Sequence, residues 1–96
     1  MAKLDDAQRN AALQDLPGWA HVAECDAIEK SYKFADFGEA YAFMTRVALE
    51  AEKADHHPEW SNVWNRVDVR PTTHSAGGLT EKDVALARKI EAIAGV

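Results

Sequence analysis

Apolar and polar residues alternate along the chain with two different periods, which predicts both helices and strands. Residues 5–16, 36–53 and 80–95 place apolar side chains three or four positions apart, as one face of an amphipathic helix requires. Residues 19–34 and 60–73 are richer in β-branched and aromatic side chains, and each predicts a β-hairpin. The order helix, hairpin, helix, hairpin, helix indicates an α+β fold, in which helices cover one face of an antiparallel sheet.

Proline, glycine and capping residues predict where the first elements begin and end. Pro17-Gly18 ends the first helix, and Cys25-Asp26 lies at the turn of the first hairpin. Asp36, with Glu39 three residues later, has the form of a capping box and begins the longest helix. The apolar stripe predicted for that helix consists of Phe37, Ala40, Tyr41, Met44, Val47, Ala48 and Ala51.

Similar signals predict the boundaries in the second half of the chain. Asn65-Arg66 predicts the turn of the second hairpin, which would pair Trp64 with Val67. Thr80 can cap the last helix, which is expected to end near Gly95. Large aromatic side chains supply much of the buried surface of a small domain. We therefore expect the three tryptophans to pack in the core or on the hairpins: Trp19, Trp60 and Trp64.

Length and composition narrow the possible functions. The 96 residues include 11 Lys+Arg and 16 Asp+Glu, a net charge of −5 without a basic run, which argues against nucleic acid or an anionic membrane as partner. The length predicts a single domain, 1–96, whose small core would benefit from self-association. Cys25 is the only cysteine and cannot form an internal disulfide, and the polar N-terminal residues do not resemble a secretion signal. We therefore expect a cytoplasmic location, with no membrane span.

Three of the four histidines lie between the second and the last predicted helix. Neutral imidazole accepts a proton and imidazolium donates one near neutral pH, so several histidines in one site suit general acid–base catalysis. Pro58 disfavours helical backbone at the residue before it, which places His56 and His57 in a loop after the second helix. The second hairpin can return His74 to that loop. Glu52, one helical turn before His56, could orient an imidazole.

The same residues also have less specific explanations. A His-His pair after a helix is most often a cap or part of an exposed loop. Histidine with a carboxylate is a common zinc-ligand set, but adjacent histidines do not share a helix face and no cysteine accompanies them, so no metal is expected. Asp83, three residues after Thr80, can be the acidic member of a helix cap. Trp60 follows the histidines closely enough to form the wall of a pocket for a flat heteroaromatic ligand.

One spacing pattern links these positions: Glu52-x3-His56-His57-Pro58-x5-Trp64-x9-His74-x8-Asp83. The pattern resembles the signature of the pterin-4a-carbinolamine dehydratases, and the likeness extends to residues 17–19, 43–49 and 78–87. The resemblance implies a four-stranded antiparallel sheet backed by three helices, in agreement with the order above. It also implies dehydration of 4a-hydroxytetrahydrobiopterin to quinonoid dihydrobiopterin. That lyase reaction regenerates the pterin cofactor of aromatic amino acid hydroxylases, notably phenylalanine hydroxylase.

The resemblance further implies roles for individual residues. It assigns His57 and His74 as acid and base, His56 to pterin binding or shared proton transfer, and Glu52 to holding the arrangement. Asp83 is expected to give structural support. The expected pterin pocket comprises Asp55, His56, His57, Pro58, Trp60, Thr72, Thr73, His74 and Ser75. Because the pterin is the substrate and water elimination needs no redox step, neither a cofactor nor a metal is expected.

A second class of function stays open, because some members of this family act as dimerisation partners of transcription factors. The sheet face and the first helix would then bind the partner as a co-regulator module. The complete set of histidines favours an enzyme over a module that has lost its site. Family members are dimers or tetramers, so the resemblance implies a homodimer or a homotetramer.

Overall fold

The computed structural model describes residues 2–95. Within that range the elements are, in chain order, α1 (Asp6–Gln14), β1 (Ala20–Val22), β2 (Ala27–Lys33), α2 (Phe37–Ala54), β3 (Glu59–Val63), β4 (Arg66–Arg70) and α3 (Glu81–Ala94). A single 3₁₀ turn, His74–Ala76, lies between β4 and α3. The strands form one antiparallel sheet in the order β1-β2-β4-β3. No helix in this part of the chain is long and apolar enough to cross a membrane.

One face of the sheet is buried against the helices. In the two central strands, Tyr32, Val67 and Val69 are buried in the hydrophobic core, whereas Ser31 and Asp68 hydrogen-bond to each other on the opposite face. This alternation follows from the two-residue period of a β-strand. The helices contribute to the same core Ala40, Phe43, Val47, Val84, Leu86, Ala87 and Ile90. The predicted α+β fold, with helices on one face of an antiparallel sheet, is therefore confirmed.

Capping residues begin each helix, as the sequence predicts for α2 and α3. Asp5 caps α1, Asp36 caps α2 and Thr80 caps α3, and each side chain accepts a hydrogen bond from a backbone N–H of the first turn. Gly95 ends α3 with a φ of 80°, a left-handed conformation that glycine adopts without strain. Helix α1 ends at Gln14, earlier than predicted. Local hydrogen-bonding signals thus fix the helix starts well.

The buried side of α2 differs from the predicted stripe. Its fully buried side chains are Ala40, Phe43, Val47 and Ala51. Phe37 and Tyr41, which the pattern assigned to the stripe, are 49% and 62% exposed, and their rings contact each other outside the core. The space beside the sheet is instead filled by Phe43, whose ring centroid lies 5.0 Å from that of Tyr32. The prediction for Phe37 and Tyr41 was therefore wrong.

The second hairpin turns one residue earlier than predicted. Val63 pairs with Arg66, so the two turn residues are Trp64 and Asn65. The side-chain amide of Asn62 donates to the carbonyls of Trp64 and Arg66 and stabilises this turn. Trp64 adopts a φ of 49° and is 63% exposed, so the expectation that it packs in the core or on the hairpin was wrong.

Lys30 interrupts the apolar face of β2, and an ion pair explains how it is accommodated. Its Nζ donates to Glu91 Oε1 at 2.6 Å and to the carbonyl of Pro17 at 3.1 Å. The same Glu91 oxygen accepts from Trp19 Nε1 at 3.1 Å and from the Tyr32 hydroxyl. Burial alone would raise the pKa of Glu91, but these donors outweigh it and hold the pKa below its ordinary value. Glu91 therefore joins α3 to the first hairpin.

Replacing Glu91 with glutamine is expected to destabilise the protein by about 2 kcal/mol at neutral pH, because a neutral amide is a weaker acceptor. A carboxylate whose pKa is lowered by folding stabilises the native state above its unfolded pKa and loses that contribution as the pH falls. The difference in unfolding free energy between wild type and Glu91→Gln should therefore shrink below pH 4.5. Urea unfolding at neutral pH and at about pH 3 measures it, and an unchanged difference would contradict the expectation.

Candidate active site

The end of α2 determines where the two adjacent histidines point. Asp55 follows the helix in the left-handed conformation, with φ 50° and ψ 42°, and its N–H caps the carbonyls of Ala51 and Glu52. The N–H of His56 also donates to the Ala51 carbonyl, at 3.1 Å. After this turn the His56 side chain is buried and that of His57 is 54% exposed. The turn therefore gives the two imidazoles different environments.

His56 belongs to a buried polar network at the start of α3. Its Nε2 lies 2.5 Å from Asp83 Oδ1, and Asp83 is fully buried. The other oxygen of Asp83 accepts from the Thr73 hydroxyl and from the Thr80 N–H, both at 2.8 Å. The hydroxyls of Thr73 and Thr80 are themselves 2.9 Å apart. Because an ionised carboxylate only accepts, His56 Nε2 is the donor, and the network links the end of α2 to the segment before His74.

The two exposed imidazoles each contact a carboxylate through Nε2. His57 Nε2 lies 2.5 Å from Glu52 Oε1, and His74 Nε2 lies 2.8 Å from Glu59 Oε2. The sequence placed Glu52 beside His56, one helical turn away, but the turn at the end of α2 directs it to His57 instead. In both pairs the carboxylate can hold the ring orientation and fix the nitrogen that bears the proton, which leaves Nδ1 for other partners.

These contacts bring together the segments that the sequence separates by the whole second hairpin. Asp83 contacts both His56 and Thr73. The contact between Glu59 and His74 also joins the segment that follows α2 to the segment that precedes α3. His57 and His74 both belong to the joined segments, and their side chains are 54% and 80% exposed. Two accessible acid–base groups supported by a buried network can exchange protons with a bound molecule.

The other residues expected in the pocket lie on the same two segments. Asp55 and Ser75 are exposed and Pro58 is half-buried. Thr72 and Thr73 are buried and their hydroxyls are already engaged. The backbone N–H and carbonyl of Thr73 are also paired, with Gly78, so of these two residues the backbone of Thr72 is what could face a ligand. The half-buried ring of Trp60 packs against the hydrophobic core. The residues expected to bind the pterin therefore differ in their access to solvent.

Two contributors to this region were not predicted from the sequence. Glu59 contacts His74, and its only local signal is that it directly follows the His-His-Pro run. Thr80 was assigned only as a helix cap, yet it also closes the buried network through Thr73. Asp83 was expected to give structural support, and the structure adds its contact with His56. Within residues 2–95, no group of three or more His, Cys, Asp or Glu side chains is arranged to hold a metal ion.

Comparisons with known proteins identify similar sequences and a similar fold. The family model described as pterin 4 alpha carbinolamine dehydratase matches residues 2–93. A relative from Rhizorhabdus wittichii, named "Putative pterin-4-alpha-carbinolamine dehydratase", is 62% identical over 91 residues, which cover 95% of this chain and 94% of the relative. The crystal structure of a protein from Brucella melitensis, described as a transcriptional coactivator/pterin dehydratase, superposes with a TM-score of 0.94 at 53% identity, covering 97% of this chain and 99% of that one.

A more distant structure shares the fold alone. A pterin dehydratase-like protein described as a RuBisCO assembly factor in the alpha-carboxysome gives a TM-score of 0.71 at 22% identity, with 81% of this chain and 90% of that chain covered. The family match spans nearly all of the chain and includes the sheet, the histidine segments and all of the helices except the last residue of α3. This chain therefore belongs to the pterin 4 alpha carbinolamine dehydratase family.

Proposed function

We propose that this protein dehydrates 4a-hydroxytetrahydrobiopterin to quinonoid dihydrobiopterin and so recycles the pterin of aromatic amino acid hydroxylases such as phenylalanine hydroxylase. The observation that supports this most is the pair of exposed imidazoles, His57 and His74, on two segments joined by Asp83 and Glu59. Family membership supports the same reaction class. The predicted location in the cytoplasm suits such a role.

The proposed chemistry is an elimination that conserves atoms and electrons. One imidazolium donates a proton to the 4a hydroxyl as its carbon–oxygen bond breaks, and a neutral imidazole removes the proton from the neighbouring ring nitrogen. The products are water and the quinonoid dihydropterin, and His57 and His74 fill the two roles in either order. No atom changes oxidation state and the two imidazoles can transfer both protons, so we propose that neither a redox cofactor nor a metal takes part.

Burial suggests different roles for the remaining site residues. His56 is buried and contacts Asp83. We therefore assign it to supporting the pocket and sharing protons, and not to direct acid or base catalysis on the substrate. Glu52 contacts the His57 ring at Nε2, which leaves Nδ1 for other partners. The backbone of Thr72 and the exposed Ser75 can hydrogen-bond the edge of the pterin ring, and Thr73, whose backbone and hydroxyl are already paired, holds the loop beside them.

The direct test is a kinetic assay with the purified protein. Freshly generated 4a-hydroxytetrahydropterin loses water spontaneously, and its disappearance can be followed by absorbance in a stopped-flow instrument. The proposal expects the protein to accelerate this decay in proportion to its concentration. Decay at the spontaneous rate, with a protein shown by circular dichroism to be folded, would refute the dehydratase assignment.

We also propose that the protein self-associates. Several large apolar side chains are exposed on α2 and at the end of β3: Phe37, Tyr41, Leu49, Val63 and Trp64. Apolar surface of this kind is often covered by another protein. Sedimentation velocity would distinguish a dimer from a tetramer, and a monomer at micromolar concentration would contradict the proposal.

A co-regulator role is the second candidate, and the description of the Brucella relative as a transcriptional coactivator favours keeping it. Such a role would need an interface rather than the histidines. A protein partner that is retained by a double variant lacking His57 and His74 would support it. Loss of the partner in that variant would instead link binding to the active site.

A further inference from the structure

The turn of the first hairpin contacts the segment that contains His74. Asp26, in this turn, binds both ends of the residue 72–79 loop: its carbonyl accepts from the Thr72 hydroxyl at 3.1 Å, and its Oδ2 accepts from the Leu79 N–H at 3.2 Å. Between these ends, Thr73 and Gly78 exchange backbone hydrogen bonds at 3.1 and 3.2 Å, which closes the base of the loop. Asp26, which belongs to the first hairpin, therefore contacts both ends of the loop.

The close approach of Asp26 also explains the residue at position 78. A Cβ atom built on Gly78 would lie 2.1 Å from Asp26 Oδ2 and 2.9 Å from its Cγ. The φ of Gly78 is not in the left-handed region, so this steric contact, and not backbone conformation, excludes a side chain there. The position of the Asp26 side chain therefore requires glycine at position 78, although the two residues are 52 positions apart in the chain.

Asp26 is fixed in turn by its own surroundings. Its Oδ1 lies 2.7 Å from His21 Nε2, and Lys3 Nζ is 3.7 Å from Oδ2. Burial opposes the charged form, but the hydrogen bonds from His21 and from the Leu79 N–H outweigh it and lower the pKa of Asp26. The residue also adopts a φ of 47°, which a non-glycine residue accepts only where its contacts compensate. These contacts give the Asp26 carboxylate a defined position.

We propose that Asp26 is a positioning residue for the active-site loop and fixes where that loop holds His74. Asp26 makes no hydrogen bond to His56, His57 or His74 and acts through the residue 72–79 loop. The inference rests on the proposed function in that turnover is one of its readouts. Because small displacements of a catalytic group reduce rate strongly, loss of this contact should lower kcat about ten- to a hundredfold.

Three variants test the contact from both sides. Asp26→Gly removes the carboxylate and suits the left-handed backbone, and Gly78→Ala displaces the carboxylate without altering Asp26. Both are expected to lower kcat and to shift the His74 imidazole resonances in NMR spectra. Asp26→Asn keeps an oxygen for the Leu79 N–H and tolerates positive φ, so it should restore most of the rate and of the wild-type shifts. The matched control is Glu24→Gln in the same turn, an exposed residue without a side-chain partner among residues 2–95.

The double variant Asp26→Gly/Gly78→Ala completes the cycle. If the steric contact is with Asp26, alanine at 78 should reduce kcat much less in the Asp26→Gly background than in wild type. Wild-type kcat and unshifted His74 resonances in folded Asp26→Gly or in folded Gly78→Ala would overturn the proposal. An Asp26→Asn variant as impaired as either would overturn the positioning role. If wild type lacks dehydratase activity the proposed function fails, while the NMR comparison still decides whether Asp26 positions the loop.

Discussion

Replacing His74 with alanine is expected to lower dehydratase turnover by roughly two to four powers of ten, the usual effect of losing an acid–base group. The side chain is 80% exposed, and the Glu59 carboxylate that it contacts is also at the surface. The variant should therefore fold as wild type does, with a change in unfolding free energy of about 0.5 kcal/mol or less. The rate effect would then report chemistry and not stability.

Single-turnover measurements with His74→Ala and wild type, alongside thermal unfolding, separate the two effects. Glu59→Ala is the graded comparison: it removes the carboxylate partner and leaves the imidazole. Exposed pairs contribute at most about 1 kcal/mol, which corresponds to a loss of about fivefold in rate. Full turnover in a folded His74→Ala variant would remove His74 from the mechanism. A larger loss in Glu59→Ala than in His74→Ala would show that the carboxylate and not the ring does the chemistry.

The order of the elements and the helix starts could be predicted from the sequence because their signals are local. Asp36 and Thr80 cap their helices through backbone groups two or three residues away, at distances along the chain that the sequence shows directly. The second hairpin was placed one residue late, because Asn65-Arg66 is a weak turn signal. The side chain of Asn62 donates to two carbonyls of the turn, and that of Asn65 donates to the carbonyl of Phe34, which directly follows β2. The contact between Asn65 and Phe34 joins residues 31 positions apart, so local turn signals do not reveal it.

The candidate site also contains features that the sequence could predict and features that it could not. As the sequence predicted, the second hairpin returns His74 to the segment that contains His56 and His57. Glu59, which contacts His74, was not predicted. Glu52 was expected to orient an imidazole, and the left-handed turn at Asp55 brings that imidazole to be His57 and not His56. Which oxygen meets which imidazole depends on that one backbone conformation.

The side chain of Asp83 belongs both to the N-terminal cap of α3 and to the candidate site. Its Oδ2 binds the Thr80 N–H as the sequence predicts, whereas its Oδ1 binds His56 across 27 residues of chain. A cap residue with no further contact would cost about 1 kcal/mol when removed. Asp83 is fully buried and its removal would also leave the His56 ring and the Thr73 hydroxyl without their acceptor. The structure therefore predicts a larger loss than capping alone.

We expect Asp83→Ala to lower the free energy of unfolding by about 3–5 kcal/mol, because each buried polar group left without its acceptor costs about 1–3 kcal/mol in addition to the lost helix cap. Turnover should also fall in whatever fraction remains folded, because the network connects the segments of His57 and His74. Asp83→Asn should cost less, since its amide oxygen can still accept from the Thr80 N–H.

Asp36→Ala is the matched control for these measurements, because Asp36 caps α2 but is exposed and contacts no histidine. It should cost about 1 kcal/mol and leave the rate unchanged. Urea unfolding and steady-state kinetics on the three variants decide the matter. If Asp83→Ala loses no more stability than Asp36→Ala and keeps wild-type turnover, then Asp83 is only a helix cap, and the buried link from His56 to Thr73 does not hold the site together.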